Sequence, residues 1–171
     1  MKCSLCNSKT SSFFKTITKE YFKCNNCDAI CMNPLNYVTE IQEIKRYTEH
    51  NNDINDIRYQ NFVNPIVKSV LADFDTTNNG LDFGCGTGPV ITKLLRDKNY
   101  TITTYDPFFE NNLESLKTTY NFIVCCEVIE HFHQPLKEFK LLKSLLKPSG
   151  KLYCMTDVFN QSINFENWYY K

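Results

Sequence analysis

A chain of 171 residues, 42% hydrophobic and 14% aromatic, can bury one sizeable core and carry one small appended module, which excludes a disordered or fibrous protein. Lys plus Arg and Asp plus Glu both number 19, so no net charge draws it to nucleic acid or an anionic membrane, and only a local patch could. No apolar run approaches the roughly 18 residues of a membrane span, and Met1-Lys2-Cys3 opens without a secretory apolar stretch, so a cytoplasmic protein without membrane contact is expected.

Residues 1–34 carry a metal pattern. Cys3 and Cys6 form one Cys-x-x-Cys pair and Cys24 and Cys27 another, with 17 residues between the pairs. Each pair makes a knuckle with two thiolates, and four sulfurs suit one tetrahedral zinc at about 2.3 Å. So short a zinc ribbon has too little core of its own, which makes metal binding a large share of its folding free energy. The rival readings are accidental spacing and a redox dithiol, which wants one Cys-x-x-Cys in a βαβ setting. Cys31 is a spare ligand that a complete set does not need, and Cys125, Cys126 and Cys154 read as packing thiols inside strands. Lys9, Lys15, Lys19 and Lys23 lie among Phe13, Phe14, Tyr21 and Phe22, a mixture that suits nucleic acid or the two faces of a small sheet.

Asn33-Pro34 breaks the chain, and residues 35–79 read as a helical adaptor or lid. Thr39 and Gln42 fit a capping box, and Val38, Ile41 and Ile44 recur at helical spacing until about His50. After a loop at Asn51-Asn52-Asp53, a second helix presents Phe62, Val63, Ile66, Val67, Val70, Leu71 and Phe74 as its apolar face. Thr76-Thr77-Asn78-Asn79-Gly80 stops it.

Residues 80–171 begin on Gly80-Leu81-Asp82-Phe83, a buried strand that runs into Gly84, Gly86 and Gly88 and then the helical pattern of Val90, Ile91, Leu94 and Leu95. Such a turn lets ligand atoms approach the backbone and the first N–H groups of the helix. A dinucleotide fingerprint wants Gly or Ala at its sixth position, where this chain has Pro89. A second strand over residues 100–105 ends at Asp106, placed to accept hydrogen bonds from both hydroxyls of a ribose. A third, apolar strand leads from Tyr120 into Glu127-Val128-Ile129-Glu130-His131. Pro135 then starts a helix with Leu136, Phe139, Leu142, Leu145 and Leu146 inward and Lys137, Lys140 and Lys143 outward. Lys147-Pro148-Ser149-Gly150 turns the chain into a last strand over residues 151–156. This alternation requires an α/β fold with a doubly wound, mostly parallel sheet.

The Gly-x-Gly-x-Gly turn with Asp82 ahead of it, Asp106, and the Glu-Val-Ile-Glu-His stretch together resemble the class I S-adenosylmethionine-dependent methyltransferases over about residues 47–157. The resemblance implies a Rossmann-like fold and S-adenosylmethionine as cofactor. Asp82, Gly84, Cys85, Gly86 and Gly88 would cradle its methionine part, Asp106 its ribose, and Glu127 would face the methyl donor. Glu130 and His131 are the catalytic candidates on the acceptor side, with Tyr47, His50 and Tyr59 lining the lid. If Glu127 begins a helical turn, Glu127, Glu130 and His131 share a face that suits Mg2+ or Mn2+. The same Glu-x-x-Glu-His arrangement occurs in the ubiquinone-pathway O-methyltransferases and the small-RNA terminal 2′-O-methyltransferases, where it is associated with a divalent metal. The metal-free reading makes His131 a general base or a packing residue. A dinucleotide remains the minor alternative, because it too presents an adenosine ribose.

Two departures are expected. Only 15 residues separate Asp106 from Phe122, with Leu113-Glu114-Ser115-Leu116-Lys117 weakly helical, so the family's third strand is short or absent. The chain also stops 14 residues after Asp157, short of the family's sixth and seventh strands, which leaves an incomplete fold whose open sheet edge invites dimerisation. The expectation is methyl transfer to oxygen, nitrogen or carbon of a small molecule. The alternatives are an RNA methyltransferase, or a non-catalytic zinc ribbon on a truncated Rossmann-like platform that docks protein or nucleic acid.

Overall fold

The computed structural model describes residues 1–49 and 52–170. The cysteine-rich segment folds as an antiparallel sheet of β1 (Thr10–Lys15), β2 (Glu20–Cys24) and β3 (Ile30–Met32), in that order. Asn7 and Asp28 follow the two Cys-x-x-Cys pairs with φ of 62° and 59°, the left-handed conformation that short polar side chains tolerate.

Thr39 and Gln42 close the capping box, with Thr39 N donating to Gln42 Oε1 at 2.9 Å and Gln42 N to Thr39 Oγ1 at 3.4 Å. They start α1 (Glu40–Glu49), whose face differs from the expected one. Val38 and Ile41 are exposed, Ile41 by 80%, and the half-buried positions are Glu43, Ile44 and Tyr47. Asp56 caps α2 (Ile57–Asp73), which buries Val63, Ile66, Val67 and Val70 while Phe62 stays exposed.

A parallel sheet follows, built from β4 (Asn79–Phe83), β5 (Thr101–Tyr105), β6 (Tyr120–Cys126) and β7 (Leu146–Met155) in the order β5-β4-β6-β7. Helices α2 and α3 (Val90–Arg96) cover one face, where Val67, Val70, Leu95, Phe122 and Val124 pack together. On the other face Leu81, Ile123, Cys125, Leu142 and Leu145 pack with α4 (Pro135–Ser144). Burial of both faces explains why these strands read as nearly continuous apolar runs. Between β5 and β6 the chain makes a 3-10 turn, Leu113–Lys117, and no strand. It steps from β4 to β5 on one side and returns to β6 on the other, so a crevice opens at the carboxyl end of β4.

Residues 147–150, expected as a turn before the last strand, lie inside β7 as an irregularity. Leu146 pairs with Tyr120 and Lys151 with Phe122, so four residues of β7 stand opposite Asn121 alone, and Ser149 takes φ 63° to absorb them. Among the described residues no strand covers the outer edge of β7. The segment beyond it instead crosses to the ribbon, where Phe165 packs against Phe13, Phe14 and Tyr21 with ring centroids 4.9, 5.2 and 5.1 Å away. Three of the four rings that the sequence offered for base stacking are thereby engaged internally. No helix among the described residues is long and apolar enough to cross a membrane.

Candidate active site

β4 delivers the chain to the crevice and the glycine turn locks onto the neighbouring strand. Gly84 N and Cys85 N both donate to Tyr105 O, at 2.7 and 3.2 Å. Gly84 and Gly86 adopt φ of 79° and 62°, but their surroundings differ. A Cβ at Gly84 would stand 2.5 Å from a Val128 methyl carbon, whereas one at Gly86 would meet nothing within 4 Å, so Gly86 faces open space. A Cβ at Gly88 would come 2.0 Å from the Asn52 carbonyl oxygen, which shows how closely the connection between α1 and α2 crosses the turn.

Asp106, 7% exposed, is clasped by this turn. Its Oδ2 accepts from Gly86 N at 3.0 Å and its Oδ1 from Phe108 N and Phe109 N at 2.8 and 3.1 Å. Three of about four lone-pair positions are thus occupied, which leaves one on Oδ2 open. Asp82 lies beneath the turn, 4% exposed, with Oδ2 accepting from Thr92 Oγ1 of α3 at 2.7 Å. It orients that helix and does not line the open crevice. Burial pushes its carboxyl up to about 6, and burial likewise pushes the Cys85 thiol up to about 12.

The acceptor side is arranged differently from the sequence expectation. Glu127 has φ 55° and stands before the 3-10 turn Ile129–His131, so no helical turn starts at Glu127 and the three residues do not share a helix face. Their ligand atoms do not converge either. Among the described residues the only set of three or more His, Cys, Asp or Glu donors within 4.8 Å of one another is the cysteine set, so Glu127, Glu130 and His131 do not gather as one donor set in this arrangement. Glu127 N donates to Met155 O at 2.8 Å, and a Glu127 carboxylate oxygen accepts from the Tyr170 hydroxyl. Both carboxylate oxygens of Glu130 are buried, and the polar side chain beside them is the equally buried Thr156 hydroxyl, which partly offsets the cost of ionising Glu130. Burial, reinforced by the charge of Glu127, pushes the Glu130 carboxyl up to about 6.

Helix α1 and the turn before it meet this side through rings. Tyr47 packs edge-on to His131, with centroids 5.4 Å apart, and lies 6.0 Å from Phe108, while His131 itself is exposed. His133 Nε2 lies 3.3 Å from Glu43 Oε1 and its ring stacks on Tyr37 at 4.2 Å, pinning α1 down. Tyr59 is half-buried beside Phe62, where Cys126, Asp82 and Glu127 reinforce the burial that raises its hydroxyl to about 12. His50 lies outside the described residues. Sequence reasoning missed His133, Thr156 and Tyr170. A capped helix bearing Glu43 next to a histidine-rich turn was the one available hint for His133, and nothing local marks the other two.

Residues 47–171 match a family described as a methyltransferase domain, a stretch that contains the glycine turn, Asp106 and the Glu127 to His131 segment. The chain belongs to that methyltransferase-domain family. Two curated proteins, each a ubiquinone biosynthesis O-methyltransferase of Actinobacillus pleuropneumoniae, from serotype 5b (strain L20) and serotype 7 (strain AP76), are 28% identical to it over 95 residues. That alignment covers 53% of this chain and 41% of each relative, so the chain aligns with about two fifths of their length. Membership of the methyltransferase-domain family implies S-adenosylmethionine as cofactor, and the crevice fits it. Gly86 leaves space and Asp106 keeps one acceptor position open.

The methyltransferase domain carries its ribbon beside this crevice. Sγ atoms of Cys3 and Cys27 are 3.8 Å apart, those of Cys6 and Cys24 3.4 Å, and all four lie within 4.8 Å of one another. Sulfurs bound tetrahedrally at about 2.3 Å from one ion would lie about 3.8 Å apart, so the set could close on one zinc with shifts of no more than about 1 Å. Leu5 N, Asn26 N and Cys27 N point at Cys3 and Cys24 sulfurs from 3.4 to 3.5 Å, support that favours thiolates. Cys31 stands apart, accepting from Ser4 Oγ at 3.3 Å.

Proposed function

We propose that this methyltransferase domain moves a methyl group from S-adenosylmethionine to a hydroxyl oxygen of a small molecule. The observation that carries the reading is the clasp between Asp106 and Gly86 N at 3.0 Å, because it ties an acid at a strand end to a glycine turn with open space before it. When bound, S-adenosylmethionine supplies a methyl group on a positively charged sulfur, already activated for in-line displacement. Orientation and water exclusion are the protein's remaining tasks.

Asp106 would accept one ribose hydroxyl at its open position, and the turn from Gly84 to Gly88 would lie along the methionine part with Cys85 as an uncharged wall. Glu127 stands at the end of β6 on the same side. Glu130, its carboxylate buried beside the Thr156 hydroxyl and its carboxyl near 6, is mostly ionised at neutral pH and suited to take the proton from an acceptor hydroxyl. His131, exposed and packed on Tyr47, serves the lid in this reading. The name of the two relatives supports oxygen as the acceptor atom. The concentration of carboxylates at Asp106, Glu127 and Glu130 favours an acceptor without negative charge.

Calorimetry with S-adenosylhomocysteine tests the donor half. The wild-type protein should bind it, and Asp106→Ala should weaken binding at least tenfold, about the loss of one hydrogen bond to a charged group. Absence of binding by folded wild-type protein would remove the proposal.

A further inference from the structure

The chain after β7 links the ribbon to the crevice. Phe159 and Phe165 settle on Phe13, and Phe165 also on Phe14 and Tyr21, with Phe165 only 7% exposed. Trp168 continues the cluster, 5.4 Å from Phe159 and 5.8 Å from Phe165, and its Nε1 donates to Asp157 Oδ2 at 3.0 Å. Two residues on, the Tyr170 ring lies 5.5 Å from Trp168 and its hydroxyl reaches the Glu127 carboxylate. The metal knuckle and this cluster share one strand, since Tyr21 and Cys24 are both buried in β2. Glu127 itself holds φ 55°, a conformation that a non-glycine residue keeps only when its surroundings fix it.

We propose that Tyr170 is a positioning residue of the methyl-transfer site, and that the zinc ribbon acts in that site by holding Tyr170 on Glu127 through residues 159–168. This rests on the donor reading given above. Tyr170 engages one carboxylate oxygen, which fixes the rotamer of Glu127 and leaves the other oxygen to the ligand. Burial and the neighbouring carboxylates push the Tyr170 hydroxyl well above its usual range, so it stays a donor at any physiological pH. A ribbon without metal loses the platform on which Phe165 sits, and Tyr170 is released with it.

Trp168 is the only tryptophan, so its emission reports the docking of this segment. The experiment follows Trp168 emission and S-adenosylhomocysteine affinity together in zinc-loaded protein, in chelator-stripped protein, and in Tyr170→Phe, Phe165→Ala and the double variant. Tyr170→Phe should weaken binding about tenfold with emission unchanged, the worth of a hydrogen bond to a charged group. Phe165→Ala and stripped protein should both show red-shifted emission and a loss of affinity of that same size, and the double variant should be no weaker than either single one. A purely structural role for Phe165 would lower stability and leave affinity alone. Should Phe165→Ala fail to fold, the stripped protein supplies the same comparison. Affinity within twofold of wild type in Tyr170→Phe, or additive losses in the double variant, overturns this proposal while leaving the donor reading intact. Wild-type protein that binds no S-adenosylhomocysteine overturns both.

Discussion

Burying Asp82 against α3 costs the folded protein stability at neutral pH. Its carboxyl rises from an ordinary 3.8 to about 6, with burial as the first cause and the Thr92 hydroxyl only partly offsetting it. A raised folded-state value means that the contribution of this group is fully favourable below the unfolded value and is lost as pH climbs through about 6. The loss amounts to about 3 kcal/mol, most of it between about pH 4 and pH 6. Asp82→Asn keeps an oxygen for Thr92 and cannot ionise, so its stability relative to wild type should rise with pH and level off above about 6, by up to about 3 kcal/mol. Urea unfolding of the two zinc-loaded proteins across pH 5 to 7.5, which spans roughly the upper half of this change, measures a rise of about 1 to 2 kcal/mol, and a pH-independent difference would show that Asp82 is already solvated. Glu130 carries the same sign into catalysis: as a base it must lose its proton, so turnover should fall below about pH 6, and Glu130→Gln should lower it roughly a hundredfold with donor affinity nearly unchanged. A flat pH profile across 6 would remove Glu130 from that role.

At the scale of the element, Gly84 and Gly86 separate folding from binding. Both need positive φ, so alanine at either strains the turn by about 1 kcal/mol. At Gly84 the added carbon also collides with Val128, which displaces the segment that leads to Glu130, so Gly84→Ala should lose a further 1 to 3 kcal/mol, about the cost of overpacking a core. At Gly86 the carbon enters open space, so Gly86→Ala should fold almost normally and bind S-adenosylhomocysteine at least tenfold more weakly, a loss on the order of 1.4 kcal/mol. Thermal melts and calorimetry on the pair check this, and equal behaviour of the two variants would contradict it. The glycine turn, Asp106 and the alternating strands and helices were legible because each is a local pattern with a local cause. The bend at Glu127 and the irregularity inside β7 were not, since both depend on positive φ at Glu127 and Ser149, residue types that do not announce it. The face of α1 was hidden for another reason. Its capping box fixes where the helix starts, but the contacts of Glu43 with His133 and of Tyr47 with His131 decide how it is turned.

Across the whole molecule, two kinds of cohesion meet. The parallel sheet is held by apolar clusters on both faces, whereas the ribbon has Cys3, Tyr21 and Cys24 as its buried residues and would rest on an ion held by its four cysteines and on Phe165. The link was illegible in the sequence because Phe165 meets Phe13 across most of the chain's length, from a segment with neither helical nor strand period. Removing zinc should therefore unfold the molecule unevenly. In hydrogen exchange, chelation should strip protection from the amides of β1, β2 and β3 and from residues 159–168, while β4, β5 and β6 keep theirs, because α2, α3 and α4 still cover them. Uniform loss would mean that the ribbon belongs to one cooperative core with the sheet, and retained protection at 159–168 would mean that this segment is anchored on Asp157 and Glu127 without help from Phe13. The uneven outcome follows from where the apolar area lies, since a segment whose buried rings face a metal-dependent sheet cannot outlast that sheet.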